Sequence, residues 1–498
     1  MSEAHPGFVG GRVMSVQILG GFFEFARRSP EATALFCGES TRSYGWLAKA
    51  ALEAQDALEH AGAFCSASQP VPRIGLYCPN GMDHVLWALA IIAGGACLVP
   101  IPQELTLAER ESLVRQTALH AVVVAGGLQW NLESVSQTEV RAAGLSGRIS
   151  LLETWPMLEF SEEQFSDLRP ALIRFSSGTT GVSKGVVLSH GSLLERILSA
   201  NRRLRINHLD RVLWTLPMAH HFAVSILLYL NAGAGVILAE AHLADELLGT
   251  ALRFEATIMY GSPFHYRLLS GECSARGWPT LRLAVSTAAA LSVEVAARFY
   301  HRFGVRLVQG LGIIEAGLPL LNSLHAAESP TAVGVADDFE VEIMGGDGTS
   351  AHEGELCLRG PGMFDAYLIP WTLCEDVMRD GWFHSGDIAR VHANGNIELI
   401  GRSKSVLNIG GMKCFPEEIE AVLATFPGVS EVRVRGEEHA RWGVLPVAEV
   451  VPSITTDPPK ASEMAAHCRK VLAPYKVPVR FLYVERLEKT ATGKLRRI

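Results

Sequence analysis

The chain has 498 residues, 48% of them hydrophobic and 19% charged, which is material for about three domain-sized cores and excludes a disordered polymer. Lys and Arg total 44 against 52 Asp and Glu, so the net charge of −8 argues against a nucleic-acid-binding surface spread over the molecule, while a local basic pocket stays open. The nine cysteines are odd in number and contain no C-x-x-C pair, supporting neither a disulfide framework nor a zinc ribbon and reading as reduced, mostly buried thiols of a cytoplasmic protein.

Met1–Arg12 has no apolar stretch behind a basic one, so no signal peptide is expected. Arg73–Cys78 reads as a strand, Asp83–Ala93 as a helix and Ala96–Pro100 as a strand, an alternation that argues for parallel sheets covered by helices. The apolar run Val85–Val99 contains Gly94 and Gly95 and falls short of the roughly 20 residues of a membrane span. Thr106 with Glu109 three residues on is a capping-box pattern opening the next helix, and Ala121–Ala125 follows as a buried strand. The charge run Arg202, Arg203 and Arg205 is expected at the solvated end of a helix. Strands resume at Val212–Leu216, Val236–Ala239, Thr257–Tyr260, Leu281–Val285 and Val305–Gln309. Phe222–Ala239 approaches spanning length, but Asn231 and two glycines mark where a buried helix turns into a strand, so no membrane span is expected. Gly304 sits just past the helix Val293–Arg302, where a left-handed terminal glycine belongs. From about Ala332 short strands with Gly and Pro turns take over, such as Gly354–Arg359 and Asn396–Ile400, and a compact α/β piece begins near Gly401.

One segment carries chemistry by itself. Residues 175–185 read Phe-Ser-Ser-Gly-Thr-Thr-Gly-Val-Ser-Lys-Gly, directly after the strand-like Ala171–Arg174. Small, hydroxylated and glycine residues let backbone N–H groups line a concave loop, and Lys184 adds a positive charge for phosphates. It is not a Walker A loop, because Ser183 rather than glycine precedes the lysine.

This segment resembles the signature loop of the acyl-adenylate-forming superfamily, which contains acyl- and aryl-CoA ligases, nonribosomal-peptide adenylation domains and luciferases. Further stretches fall into register along nearly the whole chain. Leu216–Phe222 resembles the family's proline–histidine–aromatic segment, closest to its aryl-acid-activating members. The adjacent His220 and His221 have no third metal ligand apparent in sequence, and a buried structural pair is the other reading. Gln309–Glu315 sits where relatives carry an aromatic-Gly-x-Thr-Glu; Glu315 matches, whereas Leu311 replaces the aromatic and Ile314 the threonine. Thr287–Ala290 stands at a Gly-Gly-Ala-Pro-like element, and Asp380–Asp387 resembles the ribose-binding turn. Gly401–Lys404 resembles the hinge, Asn408–Lys413 the glycine-rich loop along which the thiol approaches, and Lys489–Arg497 the terminal catalytic-lysine motif. Pro416 with Glu417 and Glu418 opens a helix as the macrodipole favours.

The resemblance implies an α/β fold: a large N-terminal domain, 1–401, of helix-covered parallel sheets with a β-rich subdomain at about 332–400, and a small mobile α+β lid, 402–498, pivoting at Lys404. It implies that Ser176, Ser177, Gly178, Thr179, Thr180, Gly181 and Lys184 cradle ATP phosphates. Ala288, Ala289, Gly310 and Leu311 would border the nucleotide, Asp387 would hold ribose, and Arg402 would contact ribose or phosphate. Mg2+ would sit on Thr180 and Glu315, and Lys494 would act as the mobile catalytic cation beside Lys184, Glu315 and His220. The acid would lie against His220, His221, Phe222, Ser262, Ala289, Leu311, Gly312, Ile314 and Leu318, with Pro263 and Phe264 nearby. That mostly apolar slot with one titratable group suits a small aromatic acid.

The implied reaction is attack of a carboxylate on the α-phosphorus of ATP, release of pyrophosphate, and transfer of the acyl group to CoA or to the phosphopantetheine of a carrier protein acting in trans. No protein nucleophile is needed; positioning and charge neutralisation carry the step. A medium-chain fatty acid, an amine acceptor and a degenerate adenylate-binding protein, the last motivated by Leu311 and Ile314, are the competing readings. The expected assembly is a monomer or homodimer, with no nucleic-acid partner.

Overall fold

The computed structural model describes residues 17–66, 68–153, 157, 160–175, 184–239, 243–271, 276–323, 326–346, 348–405, 407–409, 412–439, 443–453, 458–489 and 495. Two large sheets and two small ones organise the chain. In the first, the strands Leu307–Ile313, Leu283–Ser286, Ile258–Gly261, Arg211–Trp214, Gly235–Leu238 and Thr33–Cys37 run parallel in that order. Antiparallel strands Gly317–Leu321 and Ser40–Ser43 close its two edges. In the second, Pro170–Arg174, Cys97–Pro100, Arg73–Tyr77 and Ala121–Ala125 are parallel. A four-stranded antiparallel sheet spans Glu340–Met344, Glu353–Arg359, Phe383–Val391 and Ile397–Arg402. The last sheet, from Leu407 onward, packs on the helices Pro416–Leu423 and Ala461–Arg469 around its own core of Ile419, Leu423, Val434, Val450 and Met464. This is the expected α/β class with a small C-terminal unit.

Local chemistry sets the element ends. Thr106 Oγ1 accepts the N–H of Glu109 at 3.3 Å while the Glu109 carboxylate accepts the N–H of Thr106 at 2.8 Å, so the capping box forms as the spacing predicts. The helix Val293–Phe303 starts on the cap Ser292 and stops at Gly304 with φ of 72°, a left-handed conformation that glycine adopts without strain. Within Phe222–Ala239 a short helix, Ile226–Asn231, gives way to the strand Gly235–Leu238. Asn231, at the end of that helix, ties it to the N-terminal helical segment, donating to Ile18 O at 2.9 Å and accepting from Phe22 N at 3.2 Å. Among the described residues no helix is long and apolar enough to cross a membrane.

Two readings of the sequence need correction. Arg202 and Arg203 are not simply the solvated end of a helix. Arg203, 15% exposed, pairs with Asp337 at 3.1 Å and donates to Leu321 O at 3.1 Å, and Arg202 pairs with Asp338 at 2.5 Å, so the helix His190–Leu204 is tied to the chain after the first sheet. The hairpin Ser136–Ala142 with Leu145–Leu151 was also not anticipated. Its two-residue turn places Ala143 at φ 49° and Gly144 at φ 82°, the left-handed pair that matches strand twist. The eight described cysteines form no disulfide with one another; Cys78, Cys97, Cys357, Cys414 and Cys468 are buried and Cys65 is exposed.

Candidate active site

Lys184, expected from the sequence to meet phosphate, lies where the second sheet meets a short antiparallel strand, Ala366–Tyr367. Tyr367 pairs with Val186 in register, and Ile369 N donates to Lys184 O at 3.0 Å, so Lys184 and Tyr367 are brought together. Gly185, φ +62°, has Phe175 and Leu368 against the place a Cβ would occupy, which explains a glycine after the lysine. Lys184 Nζ lies 4.3 Å from the Tyr367 ring centroid, in cation–π range. The Tyr367 hydroxyl donates to Glu315 Oε1 at 2.9 Å. Burial and the Glu315 charge push the phenol far above its ordinary pKa, so it stays a donor.

Behind this row lie two guanidiniums, Arg196, which is buried, and Arg174, which is half-buried. Arg196 donates to Gly362 O through Nε, to Ile314 O at 2.8 Å and to Glu315 O at 2.5 Å. It therefore clamps the turn bearing Glu315 onto the segment that leads into Tyr367. Burial pulls Arg196 down to about 9 against the opposing pull of Asp365 and Glu315, and pulls Arg174 down to about 10 against Glu315. Both remain cations near neutrality. Asp365 accepts from Ser189 N at 2.6 Å and Ser192 Oγ at 3.0 Å, yet burial still raises its pKa.

The residues expected to hold ribose form a register pair on the four-stranded sheet. Asp387 stands opposite Arg402, whose Nε is 2.6 Å from Asp387 Oδ1. Asp387 is 5% exposed, and its backbone N–H is held by Ser385 Oγ at 3.0 Å. A single 3₁₀ turn, Ser403–Ser405, follows and carries Lys404 between this sheet and the next.

The residues expected to border the acid are divided in their placement. His220 lies in the short helix Met218–His221 and meets Glu104 Oε1 at 3.0 Å, which holds the Glu104 carboxyl below its usual range. His221 has its ring edge-on to Trp214 at 6.1 Å, and Trp214 stacks on Tyr260 at 5.8 Å. Phe222 is 2% exposed and packs on the buried His84 ring at 5.8 Å, so it supports the site from the core. Ser262 is tied to His265 Nδ1 at 2.9 Å, Pro263 is buried, and Phe264 points outward at 63% exposure. Leu311 is 8% exposed within the main core, where Ile314 and Leu318 pack. Gly310 is closely met by Leu318 and Leu321, while Gly312 is exposed beside Thr287. Ala288 holds a left-handed φ of 71° and Ala289 is exposed. Ser176, Ser177, Gly178, Thr179, Thr180, Gly181 and Lys494 lie outside the described residues, as does the side chain of Lys404.

The AMP-binding enzyme family matches residues 22–368, and the AMP-binding enzyme C-terminal domain matches residues 418–494. The chain belongs to the AMP-binding enzyme family. It is 29% identical over 485 residues to a feruloyl-CoA synthase of an Amycolatopsis species, covering 94% of this chain and 95% of that protein. The structure of the anthranilate CoA ligase AuaEII in complex with anthranoyl-AMP superposes with a TM-score of 0.79 at 21% identity, covering 96% of this chain and 95% of that one. ATP-bound MatB from Rhodopseudomonas palustris gives 0.82 at 22% identity, with 97% of both chains covered. This AMP-binding enzyme is an AMP-forming acid–thiol ligase that works through an acyl-AMP.

Sequence reading missed Tyr367, Arg174, Arg196, Asp365 and Glu104. One signal existed for Arg196: it shares the buried stripe of its helix with Leu193, Ile197 and Ala200, a place where a cation demands partners. No comparable pattern marks Tyr367, whose role arises only from contact with Glu315, 52 residues away.

Proposed function

We propose that this AMP-binding enzyme activates a small aromatic carboxylic acid with ATP and transfers the acyl group to CoA. The observation that carries the reading is the row Lys184–Tyr367–Glu315, in which an ammonium, a phenol and a carboxylate are fixed in contact at the end of the phosphate-loop segment. The full-length resemblance to a feruloyl-CoA synthase and the fold of an anthranilate CoA ligase support the aromatic acid and the CoA acceptor. So do the apolar positions Leu311, Ile314 and Leu318, together with the His220–Glu104 pair at the polar end.

In this reading the acid's carboxylate attacks the α-phosphorus and pyrophosphate leaves. Lys184 and the loop 176–181 hold the phosphates, while Asp387, braced by Arg402, accepts from the ribose hydroxyls. Glu315 fits Mg2+: it offers a hard oxygen donor, and among the described residues Tyr367 engages only its Oε1. Bound there with Thr180, the ion would neutralise phosphate charge. Lys494 would supply the mobile cation of the first half-reaction and withdraw for the second, with Lys404 as the pivot. Lys494→Ala is therefore expected to cripple adenylation while sparing thioester formation from a supplied acyl-adenylate; equal loss of both steps in single-turnover assays rejects that role.

The deciding experiment is pyrophosphate exchange driven by a panel of benzoates, cinnamates and fatty acids, followed by the product mass with CoA. Exchange with aromatic acids and an acyl-CoA product are expected. Exchange with fatty acids alone overturns the substrate class, a product formed only on a phosphopantetheinylated carrier overturns the acceptor, and no exchange with any acid overturns activation itself.

A further inference from the structure

Three metal-ligating side chains converge on the four-stranded sheet, outside the groups described above. Glu355 and Cys357 are two residues apart on the strand Glu353–Arg359, and Cys357 stands in register opposite His384 of the strand Phe383–Val391. The ladder slips between Glu355 and Cys357, an irregularity of the kind that re-aims side chains. Their ligand atoms all lie within 4.8 Å of one another. His384 Nδ1 is 3.5 Å from Cys357 Sγ and 2.9 Å from Glu355 Oε2.

We propose that Glu355, Cys357 and His384 bind a borderline transition-metal dication, with Zn2+ as the representative ion, at a site separate from the hard cation of the nucleotide. The spacing carries the assignment. With Zn–S of about 2.3 Å and Zn–N of about 2.05 Å, a tetrahedral angle sets sulfur and nitrogen about 3.5 Å apart, which is the separation observed. The carboxylate oxygen needs to open from its hydrogen bond to about 3.3 Å from the nitrogen, a small rotation for a side chain 30% exposed. His384 is 22% exposed and Cys357 is fully buried, so the ion enters past the histidine and carboxylate and keeps a water in the fourth position.

Charge and donor softness agree with the choice of ion. Among the described residues the charges of Glu355 and Glu342 act on Cys357 against that of Arg379. A sulfur and an imidazole disfavour Mg2+, which prefers six oxygens. Burial and the two carboxylates keep the empty site's sulfur as a thiol; on binding, the S–H bond breaks, an S–metal bond forms and the proton leaves to water. Glu355 Oε1 also accepts the N–H of Gly386 at 3.0 Å, one residue before Asp387. Metal binding that draws on this carboxylate therefore reaches the turn expected to hold ribose.

The test is titration of the chelator-treated full chain with Co2+. The expected result is one ion per chain with a thiolate-to-cobalt charge-transfer band, displaced by Zn2+. Cys357→Ser should abolish the band, Cys65→Ser should leave it intact, and His384→Ala and Glu355→Gln should each weaken Co2+ binding by more than the about 10- to 100-fold that loss of a residue merely hydrogen-bonded to a ligand costs. A band that survives Cys357→Ser, or no band at all, overturns the proposal. If Cys357→Ser fails to fold, X-ray absorption of the Zn2+-loaded wild type decides: one sulfur in the coordination shell supports the site, and an all-nitrogen-and-oxygen shell overturns it.

Discussion

Replacing Tyr367 by Phe removes one oxygen and leaves the ring in place. The lost contact is a 2.9 Å hydrogen bond to a carboxylate, a charged class that contributes about 1.5–3 kcal/mol. If Glu315 must be held in that orientation for the adenylating transition state, kcat/KM for exchange falls about 10- to 150-fold. The ring of Phe still faces Lys184, whose Nζ sits 4.3 Å from the centroid. A Leu variant loses that contact too, costing about 0.5–2 kcal/mol more, or a further factor of about 2 to 30. The hydroxyl is therefore the larger effect, and the order wild type, Phe, Leu should hold in pyrophosphate exchange measured across Mg2+ and ATP concentrations. Urea unfolding run in parallel separates lost orientation from lost stability. A Phe variant that exchanges as fast as wild type at limiting Mg2+ refutes the reasoning, because Glu315 would then be oriented without the phenol.

Asp387→Asn should raise KM for ATP by about tenfold or more, since a carboxylate accepting charge-assisted hydrogen bonds becomes an amide; calorimetry with ATP and 2′-deoxy-ATP checks it, and an unchanged affinity rejects the ribose role. Ala288→Gly should stabilise the fold by about 1 kcal/mol, because an L-residue at φ 71° carries strain that glycine lacks; a lower urea midpoint counts against this. Stability should also decline in acid through His84, which burial holds down at about 4 although two backbone contacts, to Cys78 O at 3.3 Å and to Pro79, favour the charged form. The unfolded chain binds a proton near pH 6.5 that the folded chain refuses, so the contribution is full above that pH and is lost as pH falls toward 4, at about 1.4 kcal/mol per unit. His84→Gln should flatten that slope in urea titrations between these pH values, and an unchanged slope rejects the assignment.

Most of the fold was legible because its rules are local. The parallel strands announce themselves as short apolar runs, and Thr106 and Gly304 mark helix ends by chemistry that acts within one turn. The hairpin at Ala143–Gly144 escaped because Ala-Gly is a weaker hairpin signal than Asn-Gly or Asp-Gly and its first strand is largely exposed. In the candidate site, Lys184, Glu315, Asp387 and Arg402 were readable because each lies in a contiguous motif. Their supports were not: Arg196 reaches Glu315 across 119 residues and Glu104 reaches His220 across 116. Contacts of that span have no footprint in a single sequence unless a charged residue occupies an apolar stripe, as Arg196 does.

The two missing family features, the aromatic at Leu311 and the threonine at Ile314, bear on whether the site works, and the buried guanidinium of Arg196 supplies the counter-argument. Taking a cation out of water costs several kcal/mol unless geometry and partners return it. Arg196 recovers that cost by binding three carbonyls, two of them the backbone oxygens of Ile314 and Glu315. The clamp is thus set on backbone, so the loss of a threonine hydroxyl at 314 leaves it intact. The Leu311 side chain is already committed to the core, so under the proposed reading it offers adenine an apolar wall rather than a stacking face. On that reading the substitutions would fall on nucleotide affinity, whereas Lys184, Tyr367 and Glu315, the groups proposed to meet phosphate, are held by contacts independent of both positions.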